Sequence, residues 1–208
     1  MCGAFGLMNL TEDEFAERYQ LNLPPKLDQP LFQARFTPHT FIPSISRQSP
    51  NQLVLRYWSI MPTWIKNTKD LRYPTFNARA ETVHEKPTFK HAWENAQRCL
   101  IPSTHFFEWQ KIKKNNKIVE RQPYSIKLHD EKVLSLAGLY EPWQDIETCT
   151  IITTDANHDL KDIHQRMPVI IDHKVEEQWL DPSTPLSTVA QLLQPLPDGE
   201  LNIEAVEL

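Results

Sequence analysis

Short extended segments separated by turns and prolines are the feature that most limits what this chain can fold into. Phe41–Ser46, Gln52–Ile60 and Lys132–Tyr140 have the length and the apolar, β-branched and aromatic content of strands. Helical periodicity is confined to short runs, of which residues 85–98 are the clearest. Many short strands with scattered helices predict an α+β fold with a mostly antiparallel sheet.

Composition excludes several classes of function. Only 4 glycines accompany 17 prolines, and no G-x-G-x-x-G or Walker pattern occurs, so glycine-rich phosphate loops are disfavoured. No apolar run reaches the length of a membrane span, and the N-terminus lacks the pattern of a signal peptide. The three cysteines, Cys2, Cys99 and Cys149, have neither disulfide nor zinc spacing.

These observations predict a monomeric protein of a reducing, cytoplasmic compartment, nucleoid-associated if bacterial, with no membrane contact, metal or cofactor. The net charge of −5 disfavours a large nucleic-acid footprint. A local basic groove stays compatible with it, because binding depends on how the charge is distributed.

The first three residues, Met1-Cys2-Gly3, carry the most distinctive chemistry. If Met1 is removed, Cys2 presents an α-amine of pKa near ~8 and a thiol of pKa near ~8.5 on adjacent carbons. An amine attacks an aldehyde to give a Schiff base, and a neighbouring thiol can then close a thiazolidine ring. The alternative is a second-position cysteine without function.

Three polar side chains alternate along residues 76–82. Asn77, Arg79 and Glu81 fall at a spacing of two, which predicts that an extended segment directs all three to one side. Such a face is either a solvated sheet edge or the wall of a site.

Glu108 and His164 are candidate proton-transfer residues. Glu108 lies among aromatic and imidazole side chains in the predicted strand His105–Gln110, where desolvation would raise its pKa and suit it to acid/base work. A glutamate paired with a neighbouring arginine at a sheet edge is the alternative. His164 lies where a predicted short helix meets an extended run, a position typical of site residues and of plain loops.

Trp64 occupies a predicted loop that also contains Lys66, Lys69 and Arg72. An aromatic ring among cations is a platform on which single-stranded bases stack, whereas a loop tryptophan packed into the core is the alternative. Further along the chain, Lys111–Glu120 predicts a polar hairpin tip around Asn115-Asn116.

Four motifs, in this order, resemble the SRAP family of SOS-response-associated peptidases, or abasic-site processing proteins. They are M-C-G at 1–3, N-A-R-A-E-T at 77–82, C-L-I-P…F-F-E-W at 99–109 and I-H-Q-R-M-P at 163–168. E-K-P-T-F at 85–89, A-G-L-Y-E at 137–141 and W-L at 179–180 extend the resemblance. We therefore expect one domain over residues 2–208, with Met1 removed, a barrel-like β core and short peripheral helices.

The resemblance implies a thiazolidine cross-link with ring-opened abasic sites in single-stranded DNA, with associated abasic-site lyase and self-processing peptidase activities. It implies these roles: Cys2 as the nucleophile, Asn77 holding the terminus or sugar, Glu108 as general acid/base, His164 stabilising or protonating the sugar oxygen, Arg79 and Arg166 contacting phosphates, Trp64 lying near the DNA step, and Thr153 lining the pocket.

Two of the positions that depart from the family pattern lie within or beside these motifs. Ala4 stands where the family usually has an arginine that helps to bind DNA, which predicts weaker DNA affinity rather than altered chemistry. His105 replaces the usual glycine before the F-F-E-W stretch, and its proximity to Glu108 in sequence predicts an altered pH dependence.

Two other functions compete with this interpretation. Met-Cys-Gly-Ala-Phe-Gly also resembles the start of class II glutamine amidotransferases, in which the N-terminal thiol attacks a glutamine amide. The H-R-G-P and G-H-x-R motifs of those enzymes do not occur in this chain. A non-catalytic reader of modified or single-stranded DNA is the second competitor.

Overall fold

The computed structural model describes residues 2–23, 30–115, 117–130 and 132–207. The strands are β1 (Phe5–Leu7), β2 (Gln33–Phe36), β3 (Phe41–Ser46), β4 (Val54–Trp58), β5 (Asn77–Arg79), β6 (Arg98–Ser103), β7 (His105–Lys114), β8 (Lys117–Leu128), β9 (Leu134–Trp143), β10 (Ile146–Asp155), β11 (Arg166–Pro168), β12 (Ile170–Ile171) and β13 (Leu201–Ala205). The α-helices are α1 (Glu12–Tyr19), α2 (Pro87–Glu94), α3 (Glu176–Leu180) and α4 (Leu186–Gln191).

A closed ring of strands forms the centre of the fold. Around it, β3 pairs with β4, β4 with β10, β10 with β9, β9 with β6, and β6 with β3. The pairing of β4 with β10 is parallel, as is that of β5 with β10, and the other pairs in the ring are antiparallel. The predicted α+β fold with a mostly antiparallel, barrel-like core is therefore confirmed.

A second sheet holds the N-terminus. Among the described residues it has five strands in the order β13-β8-β7-β1-β2, so β1 lies between two neighbours. Phe5 is fully buried, stacks on Phe36 with ring centroids 5.0 Å apart, and lies 5.4 Å from Trp58. Burying a phenylalanine stabilises a fold by roughly 1.5–3 kcal/mol, so β1 is held firmly although chain ends usually fray.

The helices are short because local signals end them early. Thr11 and Glu14 form a capping box at the start of α1, which ends at Tyr19, before Pro24 and Pro25, two residues outside the described part of the chain. The helix predicted over residues 85–98 spans only Pro87–Glu94, since Ala96 takes a left-handed conformation with φ 53°. None of the described helices combines the length and apolar character needed to cross a membrane.

Candidate active site

The pairing of β1 with β7 brings the start of the chain to Glu108. The strands run antiparallel, and Phe107 N–H donates a hydrogen bond to the carbonyl oxygen of Ala4 at 2.9 Å. Continuing this register places Gly3 opposite Glu108, and Cys2, the residue before Gly3, lies beside the same glutamate. The fold thus joins two sequence motifs that are about a hundred residues apart.

Asn77 fixes the backbone of Cys2. Its Nδ2 donates a hydrogen bond of 2.9 Å to the Cys2 carbonyl oxygen. Asn77 lies on β5, which pairs in parallel with β10 of the central ring, so the amide is held on a rigid element. This is a contact of the kind that the family resemblance implies for Asn77.

Glu108 and His164 form a pair beside Cys2. His164 Nδ1 lies 3.8 Å from Glu108 Oε1, and their side chains are 23% and 3% exposed. The same Nδ1 lies 3.1 Å from both the carbonyl oxygen and the backbone N–H of Arg166, and in the tautomer with an unprotonated Nδ1 that N–H donates to it. An Nδ1 that accepts this bond leaves the ring proton on Nε2, which can then donate to a ligand.

Burial shifts the titration of both members of this pair. Desolvation raises the pKa of Glu108 to about 7. It also lowers the pKa of His164, whose charged form is disfavoured. Near neutral pH, Glu108 is therefore populated in both protonation states and can accept or donate a proton, while His164 is mainly a neutral hydrogen-bond donor.

Thiol acidity does not distinguish Cys2 from the other two cysteines. Burial raises the pKa values of the Cys2 and Cys149 thiols far above their usual range, and it raises that of Cys99 to about 12. All three thiols are thus mainly protonated at neutral pH. Only Cys2 lies at the chain start and beside Glu108, so its position rather than its acidity makes it the candidate nucleophile.

The two predicted phosphate-binding arginines have different environments. Arg166 is largely enclosed, with Nη1 2.8 Å from Glu81 and 2.6 Å from Asp155. Its Nη2 donates to the carbonyl oxygen of Thr153 at 2.6 Å. Arg79 is exposed and forms no salt bridge with a carboxylate in the described part of the chain. Arg79 is therefore the arginine available to a phosphate, and the predicted phosphate contact of Arg166 competes with two carboxylates.

Thr153 and Trp64 differ in accessibility. Thr153 is fully buried, and its hydroxyl donates to the Ala78 carbonyl oxygen at 3.3 Å, which holds β5 against β10 behind the site. Trp64 is 54% exposed, which excludes the alternative of a tryptophan packed into the core. Its loop is fixed where Trp143 Nε1 donates to the Ile65 carbonyl oxygen at 2.6 Å. DNA contact by either residue stays a prediction.

One expectation about neighbouring residues was wrong, and the altered pH dependence expected from His105 stays a prediction. Glu81 does not share an extended face with Asn77 and Arg79, because β5 ends at Arg79 and Ala80–Thr82 is a 3₁₀ turn that directs Glu81 to Arg166. His105 is three positions from Glu108 on β7, so the two side chains lie on opposite faces.

The ring of His105 instead covers Gly6. A Cβ atom at Gly6 would lie 2.3 Å from His105 Cε1, so only glycine fits there, and the imidazole meets Phe107 edge-on at 4.9 Å. Ala4 is 1% exposed, so an arginine in its place would have to displace buried neighbours to reach solvent.

Asp155 is a site neighbour that sequence reasoning missed. It binds Arg166, 11 residues further along the chain, together with Glu81, which precedes Arg166 by 85 residues. No local pattern marks such a contact, because it arises only when β10, β11 and the turn after β5 meet.

One cavity, beside α1, does not include the predicted catalytic residues. A cleft of about 470 Å³ beside α1 is lined by Leu10, Glu14, Glu17, Arg18, Lys132, Val133 and His173. None of the predicted catalytic residues lines it. The described residues contain no group of three or more His, Cys, Asp or Glu arranged to hold a metal ion.

Comparison with known proteins places this geometry in a family. The chain is 37% identical over 189 residues to the abasic site processing protein YoaM of Bacillus subtilis, covering 88% of this chain and 80% of that protein. It is 38% identical over 208 residues to YoqW, an abasic site processing protein of the same bacterium, covering 94% of this chain and 87% of YoqW. A crystal structure of a protein from Bacteroides thetaiotaomicron superimposes with a TM-score of 0.83 at 30% identity, covering 99% of this chain and 92% of that one. The family model described as SOS response associated peptidase (SRAP) matches residues 1–208, and the chain therefore belongs to the SRAP family.

Proposed function

We propose that this protein, after removal of Met1, forms a covalent thiazolidine cross-link with ring-opened abasic sites in single-stranded DNA. The names of its relatives, abasic site processing proteins, support this class of substrate. The observation that carries the proposal is the position of Cys2, whose carbonyl is fixed by Asn77 next to Glu108. Few other arrangements present an amine, a thiol and a proton carrier to one aldehyde carbon.

The amine reacts first. Its nitrogen forms a bond to the aldehyde carbon of the ring-opened sugar, giving a carbinolamine whose hydroxyl leaves as water to form an imine. Glu108, with a pKa of about 7, donates the proton that the departing hydroxyl requires. This step leaves Glu108 as a carboxylate beside the new imine.

The thiol reacts second. Because burial keeps the Cys2 thiol protonated, it needs a base before its sulfur can attack. The Glu108 carboxylate accepts the thiol proton, and sulfur bonds to the carbon of the imine, which is protonated because its nitrogen kept its hydrogen when water left. That nitrogen thereby becomes the ring amine without a further proton. The sequence regenerates protonated Glu108 and releases one water in total.

His164 and Arg79 position the substrate. In the tautomer whose Nδ1 accepts from the Arg166 N–H, His164 carries its ring proton on Nε2 and can hydrogen-bond the sugar oxygen through it. Arg79 is exposed on the strand that carries Asn77 and can bind an adjacent phosphate. Trp64 supplies an exposed ring for base stacking.

Cross-linking by cysteine variants tests the proposal. Processed protein incubated with abasic single-stranded DNA should give an adduct stable to heat and denaturant. Cys2→Ala should abolish the thiazolidine and leave only a reducible Schiff base, whereas Cys99→Ala should cross-link normally because Cys99 lies buried in the ring. Equal amounts of stable adduct from Cys2→Ala on denaturing gels contradict the proposal.

Blocking the amine gives an independent test. A non-removable N-terminal extension turns the Cys2 nitrogen into an amide without a useful lone pair, so no adduct should form. Full activity with the extension intact by mass spectrometry would refute the role of the amine. Ammonia release from glutamine would instead support the amidotransferase, and reversible binding alone would support a non-catalytic reader.

A further inference from the structure

Strands β7 and β8 extend well beyond the sheet that contains them. β1 pairs with β7 only near His105 and Phe106, and β13 pairs with β8 only from Tyr124 to Leu128. Within the described residues, the segment 110–122 pairs only with itself; we call it the basic ribbon. Its first strand extends about 17 Å from the sheet, at ~3.4 Å per residue. Asn116 lies outside the described residues.

The basic ribbon concentrates positive charge in an acidic protein. It contains four lysines, one arginine and a single glutamate, in a chain whose net charge is −5. The cations Lys111, Lys113, Lys114, Lys117 and Arg121 are all exposed. None of them forms a salt bridge with a carboxylate in the described ranges of the chain. Their charge is therefore available to an external anion.

Folding alone does not account for this charge arrangement. Lys111 lies directly opposite Arg121, and Lys114 lies directly opposite Lys117. Like charges at directly opposed positions of an antiparallel pair destabilise it. A polyanion bound along the ribbon would offset this repulsion, so the arrangement favours a nucleic-acid role.

The apolar side chains and shape of the ribbon favour a duplex over a single strand. Ile112, Ile118 and Val119 are 39%, 45% and 59% exposed among the cations. A bulge between Ile112 and Lys113 increases the local twist. The major groove of B-DNA, about 12 Å wide, admits a two-stranded β-ribbon and presents thymine methyl groups to apolar side chains.

The base of the ribbon is attached to the candidate active site. Gln110 follows Glu108 on β7 by two residues, and its Nε2 donates to the Asp162 carbonyl oxygen at 3.1 Å, two residues before His164. Burial dominates the pKa values of Glu108 and His164, but the positive charge of Lys111 also lowers both, so this lysine lies within electrostatic reach of the pair.

We propose that the basic ribbon enters the major groove of duplex DNA that adjoins the single-stranded abasic site. Because the chain is proposed to act on abasic sites in single strands, the ribbon would direct it to junctions between single-stranded and duplex DNA. The cations bind the backbone phosphates on both sides of the groove, and the apolar side chains contact its floor.

Binding of an unreactive abasic analogue tests the ribbon separately from the cross-linking chemistry. The probes are one oligonucleotide carrying a tetrahydrofuran site, used single-stranded or annealed so that a duplex begins a few nucleotides to either side. Lys113, Lys114 and Lys117 are replaced together by Gln. The matched control replaces the exposed Lys86, Lys132 and Lys174 by Gln, and thermal unfolding checks that both variants fold.

The parent protein should bind one junction more tightly than the single strand. The ribbon variant should lose this preference, with its log-log salt slope on the junction lower by roughly 2.7, about 0.9 for each phosphate contact. Its slope on the single strand, and both slopes of the control variant, should not change.

An equal loss on single-stranded and junction DNA overturns the duplex assignment, and no loss on either overturns the ribbon's role in DNA binding. Ribbon-dependent binding only to vesicles of phosphatidylcholine and phosphatidylserine assigns the charge to a membrane surface instead. Cross-linking is measured in parallel. A parent protein that prefers junctions but never cross-links contradicts the proposed chemistry and supports duplex binding by the ribbon. Normal cross-linking without junction preference supports the chemistry and contradicts duplex binding by the ribbon.

Discussion

Two buried glutamates in this protein each face a histidine, and only one of the pairs has a site around it. Glu108 and Glu141 are both 2% exposed, and burial raises the pKa of each. His164 Nδ1 lies 3.8 Å from Glu108, and His91 Nδ1 lies 2.8 Å from Glu141. Cys2 lies beside Glu108. A glutamate–histidine pair with a raised carboxyl pKa is therefore not sufficient for the chemistry proposed here.

The two pairs are also separated in space. Glu141 pairs with Thr148 on β10, and Asn77 pairs with Ile151, three residues further along that strand. Three residues of strand correspond to about 10 Å, which separates Glu141 from Asn77, the residue that holds Cys2. Glu141 and His91 therefore serve as internal controls for Glu108 and His164.

The largest expected difference is in cross-linking rate. Glu108→Gln should slow single-turnover cross-linking by roughly 10²–10⁴, because imine formation and thiol attack both require a positioned proton carrier. Glu141→Gln should react at the parent rate. The final adduct of Glu108→Gln should be chemically unchanged, since Glu108 contributes no atom to the ring. Equal slowing in both variants contradicts a special role for Glu108.

The cross-linking rates of variants at the two histidines should differ by less. His164→Asn removes a hydrogen-bond donor to the sugar oxygen and should slow cross-linking by roughly 10². His91→Asn should have no effect on the rate. Affinity for the unreactive tetrahydrofuran analogue, measured alongside, should hardly change in either variant. A collapse of analogue binding in His164→Asn alone means that this histidine holds DNA and is not part of the chemistry.

Replacing either glutamate by Gln should change the free energy of unfolding at pH 8 in the same direction. The folded-state pKa of Glu108 is raised from 4.5 to about 7, so protonation favours the folded state and the free energy of unfolding falls as pH rises between these values. Glu108→Gln should therefore be more stable than the parent at pH 8 by at most about 3 kcal/mol, and no more stable at pH 4. Glu141→Gln should also gain stability at pH 8. Denaturant unfolding at several pH values measures both, and a Glu108→Gln variant less stable at pH 8 contradicts the raised pKa.

The smallest expected effect distinguishes the two arginines that were predicted to contact phosphates. Arg79→Gln should reduce the log-log salt slope for single-stranded DNA by roughly 0.7, as expected for one lost phosphate contact. Arg166→Gln should keep the slope but lower stability, because Glu81 and Asp155 lose a shared partner. The hydrogen bond from Arg166 lowers the pKa of Glu81, so this loss should shrink as pH falls and Glu81 becomes protonated. A reduced slope in Arg166→Gln would instead show that Arg166 of the parent protein leaves Glu81 and Asp155 and binds a phosphate when DNA is present.

Sequence reasoning succeeded where local chemistry determines the structure. The helical periodicity of residues 85–98 predicted α2, and the aromatic surroundings of Glu108 predicted its raised pKa. It failed where distant elements decide the contacts. The orientation of Glu81 follows from the turn after β5, and the enclosure of Arg166 depends on Asp155 on another strand. The length of the ribbon was also underestimated, because lysine-rich strands lack the apolar alternation that identifies a half-buried strand.

The burial of Cys2 has a consequence for the order of events during biosynthesis. Its neighbours Glu108 and His164 are translated long after it, and at ~5–20 residues per second a ribosome needs roughly 5–20 s to reach Glu108. During that interval β7 does not yet exist, so the amino terminus of the nascent chain is open to a methionine-removing enzyme. Once β1 has paired with β7, Cys2 is fully enclosed. Under the proposed chemistry, Met1 is thus removed while the chain is still growing. The reactive centre is complete only after the last third of translation has begun.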